Sequence, residues 1–455
     1  MRRLYYILIF LSALSIVITL TKSIGNETPL VFMLPVFFLM CLVVFVNIYF
    51  DLAKSFVFKI FLLQSLVRYL LLPMLYSLGQ NLGVGANSNY INLAILIMCF
   101  ELLVVYFILI IFSKKQRKSN FESKLNITYI KKNMIVPALL ILMFLIIYMS
   151  GAIGKVNFIW ELSSYVEQYI NQGEELEVGT FGMLLFNTFK VILILYFISI
   201  IQQSKIIKNK KWFLMALILC SSLVIVGVSR FSMILDVAVL LAMLTFILNN
   251  SDTKKVLFII IPSILFILAL VTISKFSRYG ETYSSESLIT ASSMNAYFAG
   301  FGNVAVGIEA YNNIKWNEYL FYLFNDTLQN VPILSNLTVD EYKTNGKFNE
   351  TIYGHRMWAD QIVPLSISGL FHFGYIGLFL YSPFFIAIAL YMERLAYKVK
   401  FIGYKYFFLY SSLVFSLVFM INLSSFYASF IRTFLFVFIP LFLLKILFSL
   451  RVGLR

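Results

Sequence analysis

The chain has 455 residues, of which 61% are apolar, 17% aromatic and only 13% charged. A soluble domain carries about 25% charged residues, so this composition excludes a soluble globule and predicts an all-α polytopic integral membrane protein. The formal net charge is +15, which topology or a ligand has to explain.

Apolar runs of the length that crosses a bilayer, about 20 residues in a helix, recur along the whole sequence. No small-residue cleavage site follows the first run, so it is predicted to be a retained span rather than a signal peptide. We predict twelve spans, at residues 4–21, 30–50, 60–79, 91–112, 134–150, 181–202, 212–228, 232–249, 256–274, 364–391, 402–422 and 427–449.

The basic residues follow the positive-inside rule when the N-terminus is cytoplasmic. This orientation places both termini and most of the 36 Lys and Arg residues on the inner side, and it leaves the outer side net acidic. The basic residues are then topology determinants that face anionic lipid. No nucleic-acid partner is therefore predicted.

Two predicted outer segments are long, at residues 151–180 and 276–363. The second is too long for a passive connector, and its stretches 287–314 and 318–334 predict helices packed over the mouth of the bundle. Three regions follow: a bundle of nine spans at 1–275, the outer segment at 276–363, and three further spans at 364–455.

Two outer arginines are candidates for binding an anion on this acidic face. Arg230 lies at the tip of a hydrophobic hairpin, where its planar donors suit a diphosphate; alternatively it snorkels to the headgroups or pairs with Asp236. Arg278 follows the ninth span and is a second diphosphate candidate. Its alternative is a surface salt bridge to Glu281 or Glu286.

A concentrated polar and aromatic group lies just before the tenth span, in IYGHRMWADQIV. His355 has the side chain suited to proton transfer near neutral pH, with Asp360 beside it, and Arg356 is a further diphosphate candidate. Tyr353 and Trp358 are typical of aromatic platforms for a sugar ring. An ordinary aromatic and basic belt at the membrane interface is the alternative for the whole group.

Charged residues inside predicted spans are costly and therefore candidates for function. Arg68 and Glu101 are interpreted as a buried pair between the third and fourth spans. Lys190 is left open. His372 lies within a span beside glycines, where a structural hydrogen bond between helices is favoured over catalysis.

Several kinds of site have no motif in this sequence. There is no nucleotide-binding loop, nucleophile elbow or metal-ligand spacing, so neither a cofactor nor a metal is predicted. Cys41, Cys99 and Cys220 lie within or at the end of apolar runs and are interpreted as small core hydrophobes.

The chain resembles the oligosaccharide repeat-unit polymerases of O-antigens and capsules, the Wzy type, and more distantly the O-antigen ligases. The resemblance rests on the hairpin Ser229-Arg230-Phe231, Arg278 and His355-Arg356 in the outer segment, and Phe373 to Gly377 in the next span. Twelve spans with one dominant outer segment cover nearly the whole length. The ligase-like pattern has a histidine and an asparagine closer to the glycine pair, whereas here His355 lies 19 residues before Gly374 and is followed by Arg356.

The resemblance implies a GT-C-like fold and glycosyl transfer on the outer face of the bacterial cytoplasmic membrane. A glycan linked to undecaprenyl diphosphate is moved onto a new lipid-linked repeat unit, and undecaprenyl diphosphate leaves. In this scheme Arg230, Arg278 and Arg356 bind the diphosphate, and His355, Asp360 or Glu281 contacts the acceptor hydroxyl. A flippase and a chain-length regulator are the expected protein partners.

Two other functions fit the same composition. A flippase or exporter of lipid-linked oligosaccharide would also have about twelve spans, although such transporters usually have two comparable halves and short outer loops. A non-catalytic scaffold for envelope assembly is the second. The segment 276–363 favours the polymerase over the flippase.

Overall fold

The described part of the chain is helical almost throughout, as the apolar runs predict. A computed structural model describes residues 2–22, 29–84, 88–117, 127–130, 134–158, 181–226, 230–276, 290–312, 314–329, 331, 334–356 and 362–453. Its strands are one antiparallel pair of three residues each, β1 (Val156–Phe158) and β2 (Val224–Val226). This part of the chain is compatible with an all-α membrane protein.

The helices in chain order are α1 (Arg2–Lys22), α2 (Met33–Val44), α3 (Val46–Asp51), α4 (Phe56–Leu66), α5 (Leu72–Ser77), α6 (Ser88–Arg117), α7 (Ile135–Met149), α8 (Phe181–Gln203), α9 (Lys210–Leu223), α10 (Arg230–Ile247), α11 (Asn250–Phe276), α12 (Ala291–Tyr297), α13 (Phe301–Tyr311), α14 (Tyr319–Leu328), α15 (Thr344–Tyr353), α16 (Leu365–Phe373), α17 (Tyr381–Lys398), α18 (Ile402–Ser416), α19 (Leu423–Thr433) and α20 (Ile439–Gly453). Two π-helical turns join neighbouring helices, Val67–Leu71 between α4 and α5 and Phe434–Phe438 between α19 and α20. Such turns frequently mark functional positions.

Five of the described helical stretches are long and apolar enough to cross a membrane. They are Arg3–Lys22, Phe56–Ser77, Tyr90–Lys114, Leu184–Gln203 and Leu423–Ile446. Each overlaps a predicted span. Other apolar helices are shorter, such as Ile135–Met149, so the count of twelve and the orientation stay predictions.

Several predicted spans are not single helices. In the run at 212–228, helix α9 ends at Leu223 and the chain continues as strand β2. The run at 30–50 is divided at Phe45, whose backbone leaves the helical region between α2 and α3. The run at 364–391 is bent by 78° between Leu365–Phe379 and Tyr381–Lys398. Continuous spans were therefore the wrong prediction here, because hydropathy measures apolar length and does not detect a break within it.

The bend in the tenth predicted span is made by glycine. Gly374 ends α16 with φ +64°, a left-handed conformation that favours glycine. Gly377, in the 3-10 turn that follows, touches the backbone of Gly369 so closely that a Cβ on either residue would overlap the other's carbonyl group. This close approach sets where His372, between them, lies.

The chain divides by packing into two compact units. Unit 1 comprises Met1–Phe121, Glu286–Glu393 and Val414–Ile431, and unit 2 comprises Glu122–Ser285, Arg394–Leu413 and Arg432–Arg455. This division groups most of the predicted outer segment with the early helices. The three regions predicted from sequence rest on membrane sides, which packing does not test, and they stay a prediction.

Helices are present in the outer segment where the sequence predicts them. In unit 1, α13 is buried along nearly its whole length and packs against α6, α15 and α16. Gly307 allows the approach to α16, because a Cβ there would meet Ile367. Asn295 and Asn303 bond each other at 2.8 Å, and the amide of Asn303 reaches the Ile362 carbonyl. This part of the segment belongs to the core of unit 1.

Unit 2 joins segments that are far apart in the chain. β1 pairs with β2 in the register Val156 to Val226. Thr128 makes a parallel bridge to Phe401 through backbone hydrogen bonds. The cysteines divide by position: Cys41 and Cys99 are buried in unit 1, as predicted, whereas Cys220 on α9 of unit 2 is exposed. The core interpretation of Cys220 was wrong because it sits on the outward face of its helix.

Candidate functional site

A cleft in the surface of unit 1 lies between the start of α14 and the bend after α16. Its volume is about 560 Å³, and its lining is mostly apolar, including Trp316, Leu320, Phe373 and Ile376. His372 also lines it. This volume is in the range of small-molecule sites, and a mostly apolar lining with a few polar groups is typical of such sites.

His372 is held at both ring nitrogens. Its Nε2 lies 2.9 Å from Oδ2 of Asp326 on α14, and its Nδ1 lies 2.8 Å from the hydroxyl of Tyr381 at the start of α17. The His372 side chain is fully buried and that of Asp326 is 4% exposed. Three helices therefore meet at this imidazole, which confirms the predicted hydrogen bond between helices.

Asp326 is itself fixed by two further donors. Its Oδ1 accepts a hydrogen bond from the backbone N–H of Thr344 at 3.1 Å and from Nε2 of Gln329 at 3.3 Å. Thr344 is the first residue of α15, and a helix N-terminus favours a negative charge. The Asp326 carboxylate is therefore held in a fixed orientation toward His372.

This geometry prepares His372 to accept a proton. An aspartate on Nε2 favours the tautomer that carries its proton there, and it stabilises the imidazolium that forms when Nδ1 takes a second proton. In the structure the hydroxyl of Tyr381 occupies Nδ1. A substrate hydroxyl that replaced Tyr381 at Nδ1 would meet a general base.

The predicted catalytic group around His355 differs from this buried pair in its exposure to solvent. His355 is exposed and its ring stacks on that of Tyr353, with centroids 5.9 Å apart. Gly354 between them has φ +72° and ends α15. The stacked pair forms an aromatic surface, consistent with sugar contact or with an interfacial belt.

Arg356 contacts two acceptor groups within the outer segment. Its Nη2 lies 3.1 Å from Oε2 of Glu350, and its Nη1 donates to the backbone carbonyl of Asp340 at 3.3 Å. Lys347 contacts the same Glu350 carboxylate at 3.2 Å. Both cations lower the pKa of Glu350, Lys347 first through its hydrogen bond. A diphosphate at Arg356 would have to displace this carboxylate.

For the other predicted site residues, either the whole residue or its side chain lies outside the described part of the chain. Arg278, Trp358 and Asp360 lie outside the described residues, as do Glu281 and Glu286. Arg230 is the first residue of α10, and its side chain is not among those described. The convergence of Arg230, Arg278 and Arg356 on one diphosphate stays a prediction.

The charged residues singled out in the third, fourth and sixth predicted spans have partners of opposite charge. Nη1 of Arg68 lies 2.8 Å from Oε2 of Glu101, and both side chains are 1% exposed, which confirms the predicted pair. Lys190, left open by the sequence, contacts Asp236 at 3.1 Å. Asp236 is thus bound by a residue from another helix.

The Arg68–Glu101 pair connects to the elements that hold His372. Nε of Arg68 donates to the carbonyl of Ala299 at 3.0 Å, in the turn between α12 and α13. Glu101 accepts a hydrogen bond from Ser382, the neighbour of Tyr381. Arg68 also lies over the ring of Phe419, 4.2 Å from its centroid. One buried ion pair therefore fixes both the start of α17 and the outer segment.

Asp326 is the functional candidate that the sequence reasoning missed. It is one acid in the aromatic stretch YLFYLFNDTL, and it lies four residues after Tyr322, which is also buried. This spacing places both on one helix face, so an acid on the packed face of α14 was the available signal. Its partner, 46 residues away, was not readable from spacing.

No group of three His, Cys, Asp or Glu side chains suited to a metal occurs in the described part of the chain. The chain matches no protein-family model, no curated protein and no solved structure.

Proposed function

We propose that the protein is a membrane glycosyltransferase that polymerises oligosaccharide repeat units linked to undecaprenyl diphosphate. The product is an O-antigen or capsular polysaccharide, made on the outer face of the bacterial cytoplasmic membrane. The observation that carries this proposal is the buried His372–Asp326 pair at an apolar cleft. The family resemblance and the apolar helices support it further.

The reaction needs a base for a sugar hydroxyl, and His372 supplies it. The acceptor hydroxyl replaces the hydroxyl of Tyr381 at Nδ1, and its proton passes to His372 as its oxygen attacks C1 of the donor sugar. The C1–O bond to the diphosphate breaks, and the diphosphate leaves with its electron pair. Asp326 stabilises the imidazolium until the proton is released to the leaving diphosphate or to water.

The departing diphosphate gathers negative charge, which cations stabilise where the charge develops. We assign the stabilisation of this charge to Arg356, together with Arg230 and Arg278, which the sequence predicts for the same role. Arg356 is released from Glu350 when the diphosphate binds. The energy of the reaction comes from the donor bond, in accord with the missing nucleotide-binding motif.

The proposal is tested in cells by gel analysis of the surface glycan. A strain that lacks the protein is complemented with the wild type, with His372→Gln or with Asp326→Asn, at equal membrane levels. We expect a ladder of chain lengths from the wild type and a single repeat unit from both variants. A full ladder from His372→Gln would overturn the proposal.

The same experiment separates the polymerase from the flippase. Single repeat units on the outer leaflet of the deletion strain indicate a missing polymerase, whereas units trapped on the inner leaflet indicate a missing flippase. The pairing of Arg68 with Glu101 and of Lys190 with Asp236 gives these charges partners within the protein. They therefore no longer favour a transporter.

A further inference from the structure

Helix α14 has one packed face and one exposed apolar face. Leu320 and Phe324 are one turn apart and are 66% and 63% exposed, and Trp316, four residues before Leu320, is 82% exposed. Tyr322 and Asp326 each follow an exposed side chain by two residues and are buried, because two residues turn a helix by about 200°. The protein itself therefore covers only one side of this helix.

The exposed face of α14 continues onto the bend between α16 and α17. Trp316 and Leu320 line one side of the cleft, and Ile376 and Leu380 line the other. All four side chains are exposed. An apolar patch that is exposed and contiguous marks a surface for binding either protein or membrane.

Helix α17 favours the membrane as the partner of this patch. Leu380, Phe384 and Tyr391 are exposed and lie four and then seven residues apart, which places them in one stripe along the helix. The bent pair that contains α17 has the length and composition of a membrane span, so hydrocarbon is the medium that suits its exposed stripe. The patch on α14 is continuous with this stripe through Leu380.

The residues at the start of α14 suit the border between lipid and water. Lys315 and Asn317 flank Trp316 and are exposed. Tryptophan is enriched at this border, where its ring meets the upper acyl chains, and a lysine beside it extends its ammonium group to lipid phosphates. The apolar and the charged side chains of this surface therefore both have a counterpart in a phospholipid leaflet.

We propose that the exposed face of α14 lies in the surface of the phospholipid leaflet that borders the bend after α16. The helix then runs along the leaflet, with Leu320 and Phe324 buried about 5–10 Å into the boundary between headgroups and acyl chains. Asp326 is on the opposite face, so the leaflet supports from one side the helix that carries the partner of His372. The inference does not use the proposed reaction, and its ligand is bulk phospholipid rather than a substrate.

Tryptophan fluorescence in nanodiscs tests this placement. Trp316 becomes the single tryptophan of the full-length chain when phenylalanine replaces the other three, Trp160, Trp212 and Trp358. One sample contains phosphatidylcholine that is brominated near the carboxyl end of its acyl chains, and a second sample has ordinary phosphatidylcholine with iodide in the buffer. We expect bromine to quench Trp316 at least about fivefold more strongly than iodide does.

Two outcomes would overturn the proposal. Stronger quenching by iodide would place Trp316 in water, and weak quenching by both agents would show that protein, such as a second copy of the chain, covers this face. Resistance of the buried Cys41 and Cys99 to a thiol-reactive dye shows that the variant is folded. If the triple replacement unfolds, the difference in quenching between the wild type and Trp316→Phe measures the same contribution.

Two substitutions at one position provide the matched comparison. Phe324→Asp puts a charge on the face that lies in lipid and should lower the quenching of Trp316 by bromine at least about twofold. Phe324→Met keeps this face apolar and should leave the quenching unchanged. Phe324 is not among the residues that line the cleft, so both variants keep that lining. Equal quenching in the two variants would contradict the proposal.

Discussion

The chain has two histidines in opposite environments. His372 is fully buried and bonded at both ring nitrogens, and three helices fix its position. His355 is exposed and stacks on one neighbouring ring after the end of α15. The difference teaches that hydrogen bonds at both ring nitrogens fix the orientation of an imidazole, which a ring stack such as that of His355 on Tyr353 does not do by itself.

The largest expected effect comes from exchanging each imidazole in turn. His372→Gln keeps an amide near Asp326 but removes the base, so the initial rate of polymer formation by purified protein should fall about 10²–10⁴-fold. His355→Gln should change the rate less than about twofold, as a surface change outside the chemistry would. Comparable losses from both would show that the buried pair has no special part.

The buried ion pair Arg68–Glu101 is expected to contribute more to the free energy of unfolding than the exposed pair Arg356–Glu350. Arg68→Met leaves Glu101 buried without its cation and should lower the free energy of unfolding by about 3–5 kcal/mol. Arg356→Met removes the exposed pair with Glu350 and should change it by less than about 1 kcal/mol. A thiol-reactive dye measures both, because buried Cys41 and Cys99 react only on unfolding.

Double replacement of Arg68 and Glu101 by apolar residues is the control for that measurement. Removing both charges leaves no unpaired ion, so we expect stability to return part of the way to the wild type. A double variant as unstable as Arg68→Met would contradict the assignment of the loss to an uncompensated charge.

Glycine replacements test the backbone of each region. Gly377→Ala forces a Cβ into the carbonyl of Gly369 and should cost about 1–3 kcal/mol, with loss of polymerase activity because His372 moves. Gly354→Ala has open space around its Cβ and should cost about 1 kcal/mol through its left-handed backbone alone. Thermal unfolding with activity assays distinguishes them; equal activity in both variants would contradict the close-contact argument.

The smallest effect is a pH dependence confined to the His355 region. Lys347 and Arg356 lower the pKa of Glu350, so its ion pairs are complete above the ordinary glutamate range of about 4.3 and are lost as pH falls through the lowered value. Hydrogen exchange of α15, corrected for intrinsic rates, should stay constant from pH 7 to 5 and rise only below about pH 4. Glu350→Gln should abolish that rise.

Hydropathy predicts the long spans well, because about 20 apolar residues in a helix leave few alternatives. The Arg68–Glu101 pair is also predictable, since a charge in an apolar run requires a partner. The bend at Gly374 was missed because Phe373 and Ile376 keep the run apolar. Residue type alone does not distinguish a glycine inside a helix from one that ends it.

The site was harder to predict than the fold. The group at 353–360 was singled out because its chemical side chains are adjacent in sequence; Tyr353 and His355 are exposed, Arg356 is half-buried, and the role of the group stays a prediction. Asp326 and His372 meet only through the packing of α14 on α16, and no local pattern specifies that contact. Buried pairs between distant segments require the tertiary structure.

The pairing of Arg68 with Glu101 has a consequence for how the protein is made. Glu101 is synthesised 33 residues after Arg68, and the Ala299 carbonyl that Arg68 also binds comes 231 residues after it. We therefore expect the predicted third span, which carries Arg68, to reach the translocon while Glu101 is still in the ribosome. We expect its insertion to be completed only together with the fourth span, as a helical hairpin, and the outer segment to dock on that hairpin much later in synthesis.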